Sequence, residues 1–393
     1  MHYIDEAHLQ NKRVLLRVDF NVPINKQLEV INDERIRQSI PTIKYLLSNN
    51  NLPVLLAHLG QPKGIDKALS LEPIAKRLQE LLPDVKVMFV PDLQSVPREN
   101  TRKGITKVIV LLENIRFFAG ETNNDPAFTK QLAGLGDVYI NDAFSVSHRK
   151  EASIIGLPTL LPAFGGLLMK KEIEMVHKLL DNPAHPFVAI LGGAKISTKI
   201  SFLNKLIEIA DTILLGGGLA NTFLLAENKQ VGESLAEADE INAASELLAL
   251  AKEKGKQLLL PTDVLIGEKD AKQSLTKVIN ELSSKDTIFD IGPQTVILYT
   301  EVIAQAKTLL WNGPLGYFEN PAFAQGTDGI FQALVNNTGA ISVIGGGETI
   351  TSIADETDRN KITHISTGGG ALLDYIANGT LPGIEALNTS ELS

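Results

Sequence analysis

FVAILGGAKISTK, residues 187–199, runs five apolar residues into two glycines and then sets two lysines four positions apart. A short, near-continuous apolar run marks a strand whose two faces are both covered by helices. The glycines after it let a ligand approach main-chain amides. The same order recurs downstream in TILLGGG (212–218), FDIGP (289–293), LLWNGP (309–314), ISVIGGG (341–347) and HISTGGG (364–370). Ligands of open parallel sheets bind beyond the carboxyl ends of the strands, so these turns should converge on one rim. Glycine runs that open helices present free N–H groups to an anion. After Gly347 come Glu348 and Thr349, whose hydroxyl is offered to a phosphate. If a helix begins at Ile196, Lys195 and Lys199 share one face of its first turns. Lysines there oppose the helix dipole, which a bound polyanion would explain. The second half thus reads as a phosphate or nucleotide site.

The first half has the same alternation of strand and helix, with apolar runs at Val14–Val18, Val54–Ala57, Val85–Val90, Val108–Leu112 and Val138–Ile140. Together the halves predict an α/β fold with parallel sheets. The strand ends differ, however. Arg17, Asp19 and Asn21 follow the first run, His58 the second, Glu113 and Arg116 a third, and Asn141, Asp142, His148 and Arg149 a fourth; Arg35 and Arg37 come soon after the first. Singly, each reads as an ordinary surface ion pair. Together they crown one rim with guanidiniums, a neutral histidine and amide or carboxylate partners, which suits a small polyanion bearing hydroxyls.

Charge and glycine divide the same way. Residues 1–183 hold 23 Lys+Arg against 21 Asp+Glu, and residues 184–393 hold 14 against 25. Nine of ten arginines lie in the first part and 22 of 31 glycines in the second, so two recognition chemistries are separated along the chain. The net charge of -9 argues against nucleic-acid binding. No apolar stretch is long enough for a membrane span, and the start lacks the basic-then-apolar pattern of a signal peptide. There is no cysteine, so no disulfide framework or Cys-based zinc site arises, and the seven histidines show no metal-binding spacing. A cytoplasmic location is expected. The patterns G-x-x-x-x-G-K-[ST] and G-x-G-x-x-G are both absent, which disfavours a dinucleotide oxidoreductase. Between the halves, Met169, Ile173, Val176 and Leu180 step along one helical face until Asn182-Pro183 ends it. That helix is either a packed crossover or a connector about which the halves move. Phosphoryl transfer is the reaction that needs an anion-binding half and a nucleotide half together.

At these residues the sequence resembles the phosphoglycerate kinase family. RVDFNVP (17–23), LLENIRF (111–117), NDAF followed by HR (141–149), GGAKISTK (192–199), GGLANTF (217–223), DIGPQT (290–295), WNGPLGYFE (311–319) and STGGGA (366–371) occur in the family's order. The resemblance implies two Rossmann-like lobes in a monomer: a 3-phosphoglycerate lobe over 1–165, a connecting helix over 166–183, a nucleotide lobe over 184–370, and a segment over 371–393 that returns to the first lobe. It implies reversible transfer between ATP and 3-phosphoglycerate, giving ADP and 1,3-bisphosphoglycerate, with Mg²⁺ accompanying the nucleotide. Carried over by position, Asp19, Phe20, Asn21, Arg35, His58, Leu59, Gly60, Gln61, Arg116 and Arg149 would hold 3-phosphoglycerate. Gly192, Gly193, Lys195, Lys199, Gly216, Gly217, Asn312, Glu319, Gly346, Gly347, Glu348 and Thr349 would hold the nucleotide, Glu348 also serving the metal. Arg35, Lys199 and Gly368 would act on the reacting groups.

Four positions depart from the family pattern. Gln61 replaces an arginine, Ser145 a glycine, Glu151 a histidine and Glu348 an aspartate. Gln61 and Glu151 both subtract positive charge, with Lys150 a partial compensation that lacks the bidentate fork. An active enzyme with weaker 3-phosphoglycerate binding is the expectation; a non-catalytic binder with damaged substrate and metal sites is the rival.

Overall fold

The computed structural model describes residues 1–97, 107–353 and 357–390. Its chain divides into two compact units, Met1–Glu174 joined by the segment from Asn378, and Met175–Ala377. The first change of unit falls inside the helix Leu167–Leu180. The second falls after Ala377, so residues 371–377, in the helix Gly370–Asn378, stay with the second unit rather than joining the returning segment.

In the first unit, β1 (Arg13–Arg17), β2 (Leu52–Leu56), β3 (Lys86–Val90), β4 (Val108–Leu112), β5 (Val138–Asn141) and β6 (Ala163–Gly165) form one parallel sheet in the order β3-β4-β2-β1-β5-β6. Alternation explains the continuous apolar runs. Val14, Leu16 and Val18 enter the core on one face with Leu55, while Leu15 enters the other with Val54 and Leu56. Pro53 is tolerated inside a central strand because pairing with β4 begins only at Val54, so its missing N–H breaks no bond on that side. The sequence pattern missed β6, an edge strand of three residues in a Pro- and Gly-broken stretch.

In the second unit, β7 (Phe187–Leu191), β8 (Thr212–Leu215), β9 (Gln257–Leu259), β13 (Thr308–Asn312), β14 (Ile341–Gly345) and β15 (His364–Ile365) form a second parallel sheet in the order β15-β14-β13-β7-β8-β9. A small antiparallel sheet adds β10 (Asp263–Ile266), β11 (Leu275–Val278) and β12 (Ile288–Ile291). That sheet was not anticipated, since its outer strand LTKV is mostly exposed and carries no apolar run. In both parallel sheets the strand order reverses beside the first strand, at β1/β5 and at β7/β13. The crevices at those two points are where such sheets bind ligands.

Candidate active site

Beyond the carboxyl ends of β1, β2, β4 and β5 the polar residues of the first unit interlock. Asp19 accepts from the Asn21 N–H at 2.9 Å, from Arg35 at 2.5 Å and from the Ser145 hydroxyl. Asn21 Oδ1 accepts from the Gly60 N–H at 2.9 Å, and Arg116 donates to the Gly60 carbonyl at 2.8 Å. Asn114 donates to the carbonyls of Leu59 and Leu69, fixing the same turn from beneath. Fully buried Arg17 donates to Ser153 Oγ at 2.8 Å and to the Val18 carbonyl at 2.6 Å, and lies 3.2 Å from His58 Nδ1. Burial, followed by the guanidiniums of Arg17, Arg116, Arg149 and Arg35, holds the His58 imidazole well below its usual pKa. It is therefore neutral at pH 7, and with Nδ1 accepting from Arg17 its proton stays on Nε2.

Within this unit the sequence-predicted residues gather at one edge, with four qualifications. The side chains of Phe20 and Leu59 are buried in the core, so only their main chain faces a ligand. Arg37 is engaged with Asp33, which also takes Arg77. Glu113 accepts from Ser70 and from the Leu71 N–H, and so holds a loop. Asp142 accepts from the N–H groups of Leu168 and Met169 and caps the helix Leu167–Leu180; burial pushes its carboxyl up to about 7. Arg17 belongs to the RVDFNVP motif, but nothing in its spacing revealed that it would be the buried centre of the cluster.

In the second unit, a cleft of about 290 Å³ opens at the β7/β13 crevice, lined by Gly193, Lys195, Lys199, Asn312, Gly313, Gly346, Gly347, Glu348, Thr349, Gly369 and Gly370 among others. Lys199 is 9 % exposed and donates to the Gly192 carbonyl at 2.7 Å and to that of Asn312 at 3.4 Å. Burial pulls its ammonium down to about 8, against the opposing field of the Glu348 carboxylate. The two strand ends touch so closely that a Cβ on Gly313, at φ +93°, would stand 2.3 Å from the Gly192 oxygen. Asn312 Nδ2 donates to the Gly345 carbonyl at 2.9 Å and holds the next strand end in place.

Several details differ from the sequence reading. The helix after the lysines begins at Ile200, not Ile196, with Lys199 at its N-cap. Lys195 therefore lies on the preceding turn, and the pair meets at the cleft without sharing a helix face. Glu237 closes that turn by accepting from the Ser197 N–H and hydroxyl, a long-range contact with no local signal. The Thr349 hydroxyl donates to the Gly345 carbonyl and accepts from the Gly313 N–H, so it braces the turn; with its proton engaged there, the residue's main chain is what remains for a phosphate. Gly292 follows β12 of the antiparallel sheet and fits against Asp263, away from the parallel-sheet rim. Gly216 and Gly217 abut Leu315 and the Gly193 oxygen. Glu319 lines a second cleft, with Tyr317, Lys269 and Lys272.

A sheet edge of guanidiniums and a glycine-lined, lysine-bearing cleft at the switch point of another parallel sheet define an α/β phosphotransferase. The family model for phosphoglycerate kinase matches residues 4–379, and the chain belongs to that family. It is 45% identical over 387 residues to the phosphoglycerate kinase of Dictyoglomus turgidum, covering 97% of each chain. To that of Koribacter versatilis it is 44% identical over 395 residues, 98% of each. The structure of phosphoglycerate kinase from Coxiella burnetii superposes with a TM-score of 0.86 at 36% identity, over 98% of both chains. That from Pyrococcus horikoshii gives 0.86 at 31% identity over 99% of both.

Proposed function

We propose that this chain transfers a phosphoryl group reversibly between ATP and the carboxylate of 3-phosphoglycerate, giving ADP and 1,3-bisphosphoglycerate. One observation carries the reading: guanidiniums collect at the carboxyl edge of one parallel sheet, and lysines with open glycine turns collect at that of the other. Asp19, Asn21, Arg35, His58, Arg116 and Arg149, with the main chain of Phe20, Leu59 and Gly60 and the side chain of Gln61, hold 3-phosphoglycerate. Arg35 sits nearest the reacting carboxylate. That carboxylate is ionised at pH 7, so no general base is needed.

In the second unit Lys195, Lys199 and the main-chain amides of Gly346 to Thr349 receive the nucleotide phosphates. Gly192, Gly193, Gly216 and Gly217 border the adenine, Glu319 meets the ribose, and Asn312 keeps the strand ends in register. Lys199 and the amides beside Gly368, those of Gly369 and Gly370 at the cleft, stabilise the charge that spreads over the moving phosphoryl group, where preorganised donors act most strongly; the Gly368 N–H itself is taken by the Ser366 hydroxyl at 3.0 Å. Among the described residues no three acidic or histidine side chains cluster as a metal site. The lone exposed carboxylate of Glu348 at the cleft fits Mg²⁺, which takes most of its ligands from phosphates and water. When bound, the ion would neutralise phosphate charge. The reading includes a monomer in the cytoplasm. Among the described residues no helix is long and apolar enough to cross a membrane.

The test is turnover of the purified protein with ATP, Mg²⁺ and 3-phosphoglycerate, with acyl phosphate read through a coupled dehydrogenase. Turnover that disappears in Lys199→Ala is the expected result. A folded protein that binds ATP without turnover would refute the reading.

A further inference from the structure

We propose that Glu151 is a built-in counter-ion that limits how tightly the guanidinium cluster of the first unit holds a phosphate monoester; this rests on the assignment of 3-phosphoglycerate to that edge. Glu151 is 5 % exposed. Its carboxylate lies 2.7 Å from Arg116, 3.6 Å from Arg149 and 4.0 Å from Arg17. No other carboxylate among the described residues has ion pairs to three arginines. Its position is fixed from the main chain as well: the Glu151 carbonyl accepts from the N–H groups of Ile154 and Ile155, both at 3.0 Å, at the start of a π-helical turn, Ala152–Gly156. A wide turn of this kind is a recurrent feature of functional sites.

The cluster's hydrogen bonding is incomplete within the protein. Arg116 Nε, Arg149 Nε and Glu151 Oε2 are buried and have no hydrogen-bond partner among the described residues. Two of these atoms are donors suited to an anion; the third is an acceptor that repels one. The charges are nearly balanced. The guanidiniums of Arg17, Arg35, Arg116 and Arg149 face the carboxyls of Asp19, Glu151 and, behind Ser153, Glu121, while His58 is neutral. With all three carboxyls ionised a single positive charge remains to meet a substrate that carries a phosphate and a carboxylate. Glu151 therefore keeps the arginines close together against their mutual repulsion and at the same time weakens their pull on the ligand. Affinity is lowered and release is favoured, while the donors stay aligned.

Glu151→Gln removes the charge and keeps an oxygen for Arg116. Binding of 3-phosphoglycerate is measured calorimetrically at low and high salt, with inorganic sulfate as competitor. The Kd should fall about tenfold at low salt, the effect of one like charge at roughly 6–8 Å in a medium between protein and water. The gain should shrink as salt rises, sulfate should compete more strongly, and KM should fall without a rise in kcat. A role in shape alone would leave salt dependence and sulfate competition unmoved. Should Glu151→Gln fail to fold, Glu151→His at pH 8, neutral and of similar bulk, carries the same expectation. Unchanged or weaker binding in a folded variant overturns the proposal. Arg149→Gln separates the two failures. If it leaves binding unchanged, the assignment of the substrate to this edge falls; if it weakens binding while Glu151→Gln brings no gain, only the counter-ion role falls.

Discussion

Lys199→Met is expected to make the protein more stable and nearly inactive. Methionine matches the unbranched reach of lysine and suits its buried surroundings. Holding the ammonium at about 8 instead of 10.5 costs the charged folded form about 3 kcal/mol. The bonds to the Gly192 and Asn312 carbonyls return about 1–2 kcal/mol of that, at the usual net worth of a hydrogen bond to a charged group. The variant should therefore gain about 1–2 kcal/mol at pH 7, a rise in Tm of roughly 3–6 °C for a unit of this size. The sign follows from proton binding. Between about 8 and 10.5 the unfolded chain holds a proton that the folded one has released, so wild-type stability rises with pH there. The advantage of Met is full below pH 8 and, because wild type gains about 3 kcal/mol as the folded amine loses its proton, it is reversed above 10.5. Turnover should fall about 10²–10³-fold, the loss of one donor to developing charge. Urea melts at pH 7 and pH 10, with the coupled assay, test both halves. A less stable variant whose lost activity merely tracks its unfolded fraction would refute the argument, as would turnover within a factor of about ten of wild type.

Three further changes probe other parts of the structure. Gly313→Ala places a Cβ 2.3 Å from the Gly192 oxygen at φ +93° and should cost about 3 kcal/mol or more in a urea melt, with turnover reduced by the shifted strand ends. Asp142, raised to about 7 by burial, binds a proton in the folded state between about 4 and 7 that the unfolded chain has released. Its share of stability is therefore present below pH 4 and is lost as pH rises to 7; Asp142→Asn should flatten the wild-type slope over that range in melts at stepped pH. Gln61→Arg, an exposed site beside the Gly60 turn that Arg116 holds, should lower the KM for 3-phosphoglycerate about three- to tenfold. An unchanged KM would remove Gln61 from that role.

The parallel sheets were legible because covered strands must be apolar on both faces. Val14 to Val18 and Phe187 to Leu191 say so without any knowledge of their partners. The small antiparallel sheet was not, because Leu275–Val278 leaves much of its surface to solvent. Strand-end residues were legible as a set, since the strands bring them to one edge. What each one touches was not. Thr349 reads as a phosphate ligand until the Gly313 N–H is seen donating to it. Glu151 reads as a lost histidine until three arginines are found around it. Contacts between residues 35 apart in the chain, such as Arg116 with Glu151, are decided by topology and leave no local pattern.

The helix Pro382–Asn388 packs on the turn Ala152–Gly156: the Gly383 N–H donates to the Ser147 carbonyl at 2.8 Å, and Leu387 joins the core formed by Leu15, Tyr139 and Leu157. Order of synthesis is thereby set against order of completion. The unit made first on the ribosome waits for residues 382–388 to emerge, while the unit made second has its whole chain, to Ala377, already in hand. The nascent first unit carries an uncovered apolar seat beside Arg149 and Glu151 throughout that interval.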